Sequence, residues 1–518
     1  MKSINYLSKK AKKIVPYQWE ESAGNEVLRF DTNTVPLPPP DLKRFFKSLG
    51  NGCPINEYKD PSYKRLEALI AQYENVNPDM IAVTNSGDEA IDVLAKTFLD
   101  AGDVFLVTPP TYEIFSIQCE LNMGRVVEDP LISRMFNVNT ANVISKAKKK
   151  NAKIIFLCNP NNPTGTIISQ EEIEKIVRNC SCIVVVDEAY REFYGKSSVS
   201  LLQKYDNLVI LRSFSKFAGI AGARVGYLIA GPSLTSKFRS IRFPMGVSYF
   251  SYKLAEWVLE NDQKWMKDQV EIIKKERTKV ARELSRLGYF VYASQANFLL
   301  VKIGSNAKEL CSKLREKGIL VRDRSSKKYI EGCIRITIRS PKENMQLINA
   351  FEDIALKKYA LIDRDGTLIF EPQDTFQVES IKKLKVLNGA ISGLKELIKQ
   401  GYKLILITNQ DGLGTATFPK KDFEGPQNKM LQIFKENGIT FTKIYICPHS
   451  PSDNCECRKP KTGLIKNFLK VNKMDKKKSF VCGDRLTDNL LATNIGIKFI
   501  PVKTNRNFYN ALKKGGVI

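Results

Sequence analysis

A chain of 518 residues is too long for one ordinary core, and at ~100–200 residues per domain it should hold three or so folding units. Hydrophobic residues make up 43% and charged residues 26%, which are globular values, and no apolar run approaches the ~20 residues a membrane helix needs, so the chain is expected neither to span nor to anchor. The formal charge of +26 invites a nucleic-acid reading, but the lysines are spread along the whole chain and no binding module is recognisable; a solvated surface that also draws small anions is expected instead.

Residues 1–15 carry Lys2, Lys9, Lys10, Lys12 and Lys13 without the apolar stretch of a secretory leader, and read as a surface helix. Of eleven cysteines, eight are scattered and three lie between Cys447 and Cys457, pointing to a reduced, cytoplasmic protein with one metal loop. Asp31 to Pro36, followed by Pro38, Pro39 and Pro40, reads as an extended arm, because prolines donate no backbone hydrogen. From Ile81 onward, apolar runs at 81–83, 104–107, 154–157, 183–186 and 208–211 alternate with helical patterns. That rhythm predicts an α/β fold with a mostly parallel sheet.

Ligands of such sheets bind off the carboxyl ends of the strands, so the residues after each run carry the information. Asn85-Ser86-Gly87-Asp88-Glu89 opens a helix whose unpaired N–H groups suit a phosphate. Tyr112 offers a ring to a planar heterocycle, and Asn162 projects as a donor from the breaker-rich turn at 159–165. Asp187, in Asp187-Glu188-Ala189-Tyr190, is a carboxylate at a buried strand end, costly unless paired, and a protonated pyridine nitrogen would pair it. The fifth run leads into Ser213-Phe214-Ser215-Lys216, with Arg224 eight positions on: a lysine to bond an aldehyde, with hydroxyls and a guanidinium for its phosphate. Each segment alone also reads as a cap, a core tyrosine, a turn or a structural ion pair.

In this order the segments resemble fold-type I aminotransferases, a large α/β domain plus a small domain, and among them histidinol-phosphate aminotransferases, from about Tyr17 to about Asp353. The resemblance implies pyridoxal 5'-phosphate, with Lys216 bonded to its aldehyde and shuttling protons. Asp187 would lie on the pyridinium, Tyr190 and Asn162 on the cofactor hydroxyl, and Tyr112 against the ring. Ser86, Gly87, Ser213, Ser215 and Arg224 would hold the phosphate, with Asp88 beside them and Tyr58 reaching in from the partner subunit of a homodimer. It further implies Arg335 gripping a substrate carboxylate or phosphate bidentately, in a pocket completed by Tyr17, Asn33 and Arg322. Thr34 stands where that family usually has glutamate, and Arg339 where it often has glycine.

The first helical pattern ends near residue 354 and a new strand begins by Tyr359, so the expected domains are 1–354 and 358–518. The strand runs into Asp363-Arg364-Asp365-Gly366-Thr367. Phosphate-ester cleavage needs a nucleophile, an acid for the leaving oxygen and a cation, and Asp363 and Asp365 fit the first two roles. A lone D-x-D-G-T is also a calcium loop or a turn, but its partners are present: Thr408-Asn409-Gln410 after an apolar run, Arg458-Lys459-Pro460, and Gly483-Asp484-Arg485-Leu486-Thr487-Asp488. The set resembles Rossmann-like haloacid-dehalogenase-type phosphatases. It implies Thr408, Asn409, Arg458 and Lys459 at the phosphate, and Mg²⁺ on Asp363, Asp484 and the Asp365 carbonyl. Glu371-Pro372, Phe376-Gln377-Val378, Asp411 to Thr415 and Asp422 to Pro426 narrow the likeness to the histidinol-phosphate phosphatase domain of bifunctional histidine-biosynthesis enzymes, over 359–502. Heptose-bisphosphate phosphatases are the runner-up.

Cys447, His449, Cys455 and Cys457 fall within eleven residues and can close a tetrahedral Zn²⁺ site with no position for water, hence structural; the alternative is an exposed loop of reduced thiols. The expected function is a bifunctional enzyme that transaminates imidazole-acetol phosphate with glutamate and then hydrolyses the histidinol phosphate formed. A pair acting on another amino or sugar phosphate is the alternative of the same class. A pyridoxal-phosphate-sensing DNA-binding regulator is the alternative of another class, opposed by the lack of a helix-turn-helix pattern.

Overall fold

Runs that are apolar at every position suit strands covered on both faces. The computed structural model, which describes residues 28–50, 56–58, 60, 62–355, 357–472 and 474–518, places the five runs in one sheet. The chain divides between Ile354 and Ala355 into two compact units.

The strands of the first unit are β1 (Leu28–Phe30), β2 (Ile81–Thr84), β3 (Val104–Val107), β4 (Arg125–Glu128), β5 (Ala152–Cys158), β6 (Ile183–Asp187), β7 (Leu208–Ser213), β8 (Gly226–Ile229), β9 (Phe290–Val291), β10 (Phe298–Lys302), β11 (Ile319–Asp323) and β12 (Cys333–Thr337). Seven form a sheet in the order β2-β8-β7-β6-β5-β3-β4. Its pairs are parallel except that β8 runs against both of its neighbours, so the first apolar run, β2, is antiparallel to its only partner. Side chains alternate faces: Ile155, Val184, Val186 and Ile210 enter one core, while Phe156, Val185, Val209 and Leu211 enter another on the opposite side. Helix Ser86–Phe98 turns Ala90, Ile91 and Leu94 into that second core, which fixes its N-terminus at the end of β2. The other five strands make a smaller sheet, β1-β11-β12-β10-β9, in which β1 and β11 are parallel and the remaining pairs antiparallel.

The second unit is built on β13 (Lys358–Ile362), β14 (Tyr402–Asn409), β15 (Lys443–Cys447), β16 (Phe480–Gly483) and β17 (Lys498–Pro501), all parallel in the order β15-β14-β13-β16-β17. Ala360, Ile362, Leu404 and Leu406 face one core and Tyr359, Leu361, Ile405 and Ile407 the other. The order reverses direction at β13, and the crevice beyond its carboxyl end is where such sheets bind ligands. No helix among the described residues is long and apolar enough to cross a membrane. Residues 1–15, read above as a surface helix, lie outside the described residues.

Candidate active sites

The carboxyl ends of the seven-stranded sheet open into a cavity of about 960 Å³. Lys216, half-buried, and Asp187, buried, both line it. Burial lowers the Lys216 ammonium from its ordinary value to about 8, with the nearby Arg335 cation adding to the effect. Burial also pushes the Asp187 carboxyl up to about 7; among the described residues its side chain accepts one hydrogen bond, the N–H of Ala189 at 2.9 Å. A neutral amine and an unpaired carboxyl are the states that a carbonyl group and a cationic nitrogen, respectively, would engage.

Beside them is a cradle for an anion. Ser86, at φ 71°, begins helix Ser86–Phe98, and Arg224 donates to its Oγ at 2.7 Å. Arg224 also pairs with Asp88 at 2.7 Å, and the Tyr112 hydroxyl donates to Asp88 at 2.8 Å. A Cβ at Gly226 would lie 2.5 Å from the Ser86 carbonyl carbon, so only glycine lets β8 approach this turn. Ser213, Ser215 and Gly87 line the same wall.

The opposite wall comes from the smaller sheet. Arg322 on β11 and Arg335 on β12 are directly paired residues in the ladder, both buried and both facing the cavity. Like charges held side by side in this way favour an anion between them. Arg335 donates to Asn162 Oδ1 at 2.7 Å and to the Asp31 carbonyl at 2.5 Å; Asn33 donates to the Tyr190 hydroxyl at 3.0 Å. The proline-flanked arm therefore lines the cleft, through Thr32, Asn33 and Thr34. Arg29 and Arg339, not singled out as site residues from the sequence, line it too; they are neutralised by Asp31 and Glu343, each at 2.8 Å. Tyr58 is 86% exposed and outside this cavity, and Tyr17 lies outside the described residues.

In the second unit, Asp363 follows β13, and Lys459 reaches both Asp363 at 2.5 Å and Asp488 at 2.6 Å. Oxygen atoms of Asp363, Asp484 and Asp488 lie within 4.8 Å of one another, a donor set for a hard cation. Burial raises the Asp363 carboxyl above its ordinary value, and Asp488 and Asp484 add to the rise while Lys459 opposes it. Lys459 is itself raised: burial disfavours its charge, but Asp363 and Asp488 outweigh burial. Arg485 is a second cation acting on Asp484 and Asp363. A Cβ at Gly366 would lie 2.3 Å from Asp484 Oδ2, and one at Gly483 2.2 Å from Asp488 Oδ2, so both glycines keep this cluster open.

Thr408 at the end of β14 faces the same crevice through Gln410, whose Nε2 donates to Thr408 Oγ1 at 2.8 Å and to Asp365 Oδ2 at 2.6 Å. Gln410 and Asp488 lay inside recognised motifs without being assigned roles, because a strand-end glutamine and a second motif aspartate reveal what they face only in three dimensions. Two residues expected at the phosphate have partners within the chain. Asn409 binds the Lys459 backbone, accepting from its N–H at 3.0 Å, and so holds Lys459 in place. Arg458 turns to Asp411 and donates to the His449 carbonyl at 2.9 Å, so its guanidinium is already occupied.

Cys447, His449, Cys455 and Cys457 converge. The sulfur pairs are 3.3, 3.3 and 3.7 Å apart, and His449 Nδ1 lies 3.1 Å from Cys457 and 3.7 Å from Cys447. These separations are far beyond a ~2.05 Å disulfide. They approach the ~3.8 Å edge of a tetrahedron with ~2.3 Å metal–sulfur bonds, so the four donors fit a zinc ion.

The aminotransferase class I and II family model matches residues 25–351, and the polynucleotide kinase 3 phosphatase model matches residues 358–503. Histidinol-phosphate aminotransferase of Thermoanaerobacter pseudethanolicus is 36% identical over 331 residues, 63% of this chain and 93% of that protein. The protein of the same name from Thermococcus gammatolerans is 36% identical over 351 residues, 67% of this chain and 97% of its own length. The crystal structure of histidinol-phosphate aminotransferase from Clostridium acetobutylicum, 25% identical, covers 64% of this chain and 99% of its own with a TM-score of 0.58. That from Sinorhizobium meliloti in complex with pyridoxal 5'-phosphate, 23% identical, covers 68% and 98% with a TM-score of 0.62.

Proposed function

Because this chain belongs to the aminotransferase class I and II family and its first unit has the fold-type I architecture, we propose that it catalyses two consecutive steps of histidine biosynthesis. The first unit transaminates imidazole-acetol phosphate with glutamate to histidinol phosphate. The second, residues 358–518, hydrolyses that ester to histidinol and phosphate. The observation that carries the first step is the opposition, across one cavity, of Lys216 and Asp187 to the paired Arg322 and Arg335.

The residues fit pyridoxal 5'-phosphate: a buried carboxyl with no ion pair among the described residues, a lysine whose ammonium is lowered to about 8, and a serine, glycine and arginine cradle. When bound, the cofactor supplies an electron sink for the bond broken at the substrate's α-carbon. Asp187 would keep the ring nitrogen protonated, Asn162 and Tyr190 would bind the ring hydroxyl, and Lys216 would move a proton to and from the substrate's α-carbon. Arg322 and Arg335 orient the phosphate of one substrate and a carboxylate of the other. Tyr58 completes the pocket across a homodimer built through this unit.

In the second unit Asp363 attacks phosphorus, Asp365 gives the leaving oxygen its proton, and Thr408 and Lys459 hold the phosphate. Asp363 and Asp484, with the Asp365 carbonyl and Asp488, would hold Mg²⁺, which offsets the charge gathered there. Zinc on the four Cys and His ligands fixes the loop leading to Lys459. A cytoplasmic location suits the free thiols.

A second reading of the phosphatase, a polynucleotide 3'-phosphate as substrate, is favoured by the family match at 358–503 and by 29 lysines and arginines against 15 acidic residues in 355–518. Wild-type protein given imidazole-acetol phosphate, glutamate, pyridoxal phosphate and Mg²⁺ should yield 2-oxoglutarate, histidinol and phosphate. A 3'-phosphorylated oligonucleotide should be a poor substrate by comparison. Rapid oligonucleotide dephosphorylation with histidinol phosphate untouched would reverse the assignment, and an alternative amino or sugar phosphate would then be sought for the first unit.

A further inference from the structure

We propose that Gln410 is a positioning residue for the phosphatase, holding Asp365 so that Oδ1 is the oxygen that serves the leaving group; this rests on the phosphatase reading above. Asp365 is 8% exposed, and its two oxygens have unlike surroundings. Oδ2 accepts from Gln410 Nε2 at 2.6 Å and lies 3.5 Å from Arg364 Nη1. Oδ1 is buried and has no hydrogen-bond partner among the described residues.

The amide orientation follows from chemistry. Reversing it would set Gln410 Oε1 against an acceptor oxygen at the same separation, and only the NH₂ end can serve both Asp365 and Thr408 as donor. Arg364 strengthens the asymmetry. Its side chain is fully buried, Cζ lies 4.6 Å from the centre of the Phe423 ring, and none of its three nitrogens has a hydrogen-bond partner among the described residues. A guanidinium stays charged, and the carboxylate oxygen within ion-pair reach is Asp365 Oδ2. With the Gln410 amide and the Arg364 guanidinium both on the Oδ2 side, Oδ1 is the oxygen left to face the leaving group. Gln410 is itself held, since its backbone N–H donates to the Cys447 carbonyl at 2.7 Å.

In the step served, Asp363 bonds to phosphorus as the P–O bond to the alkyl group breaks. The electron pair leaves on the alkyl oxygen, which takes the Asp365 proton. Water then attacks phosphorus, returns a proton to Asp365 and releases inorganic phosphate with Asp363 restored. An alkoxide needs that proton, whereas a nitrophenolate leaves without it.

The test compares the single-turnover rate of alcohol or phenol release, which reads the first step alone, for the full-length Mg²⁺ enzyme, wild type and Gln410→Met, from histidinol phosphate and from p-nitrophenyl phosphate. The alkyl ester should slow on the order of 10²-fold and the aryl ester by less than about 3-fold. Both rates come from one preparation, so partial misfolding cancels in their ratio. Equal losses, or no loss, would overturn the role of Gln410 while leaving the phosphatase reading intact. A wild-type chain that hydrolyses neither ester would overturn both. If wild type cleaves only the aryl ester and glycerol phosphate, the same ratio is read on glycerol phosphate and judged in the same way.

Discussion

Asp187 shows how one residue ties folding to ligand binding. Burial raises its carboxyl from the ordinary 3.8 to about 7. A carboxyl whose folded value exceeds its unfolded one stabilises the fold while protonated; that contribution is fully present below about pH 4 and is lost as the pH rises through about 7. Three units correspond to at most ~4 kcal/mol. Cofactor-stripped wild type should therefore lose stability relative to Asp187→Asn between about pH 4 and 7, as read by thermal or urea unfolding. Pyridoxal phosphate, by placing a cation against Asp187, should remove most of that difference; parallel pH profiles for the two stripped proteins would contradict the pairing. The residue roles most legible in the sequence were of this kind, where burial, charge and a strand end coincide. Gln410 and Asp488 were not legible, because their meaning lies in side chains that meet only after β13, β14 and β16 are aligned.

At the level of elements, the apolar runs at 104–107, 154–157, 183–186 and 208–211 foretold β3, β5, β6 and β7 because strands covered on both faces cannot hide their composition. Strand β4, Arg-Val-Val-Glu, escaped notice: it is an edge strand with exposed ends and carries only two apolar residues. The smaller sheet was suggested only through its arginines, since β11 and β12 each carry charge within the strand. The loop of Cys447, His449, Cys455 and Cys457 joins elements in a way that can be measured. Cys447 ends β15 and its carbonyl receives the Gln410 N–H, while Arg458, one residue past Cys457, donates to the His449 carbonyl. Elemental analysis should find one zinc per chain. His449→Ala should weaken its retention and lower phosphatase activity roughly 10-fold or more, leaving transamination within about 2-fold. Full phosphatase activity after verified zinc removal would refute the positioning role.

Across the whole molecule, the proposed function gives two units of unlike chemistry one kind of ligand, a small phosphate monoester. The net charge of +26 suits both, since a positive field draws anions to either site and weakens with salt. Separate folds imply separable chemistry. Lys216→Ala should end transamination and the visible absorbance of bound cofactor, yet leave hydrolysis of added histidinol phosphate near the wild-type rate. The most direct test is the product balance of Asp363→Asn given imidazole-acetol phosphate, glutamate, pyridoxal phosphate and Mg²⁺. Histidinol phosphate should accumulate in step with 2-oxoglutarate, with no histidinol or free phosphate above background. Loss of transamination in the folded variant, or histidinol formed at the wild-type rate, would contradict two consecutive reactions at two independent sites.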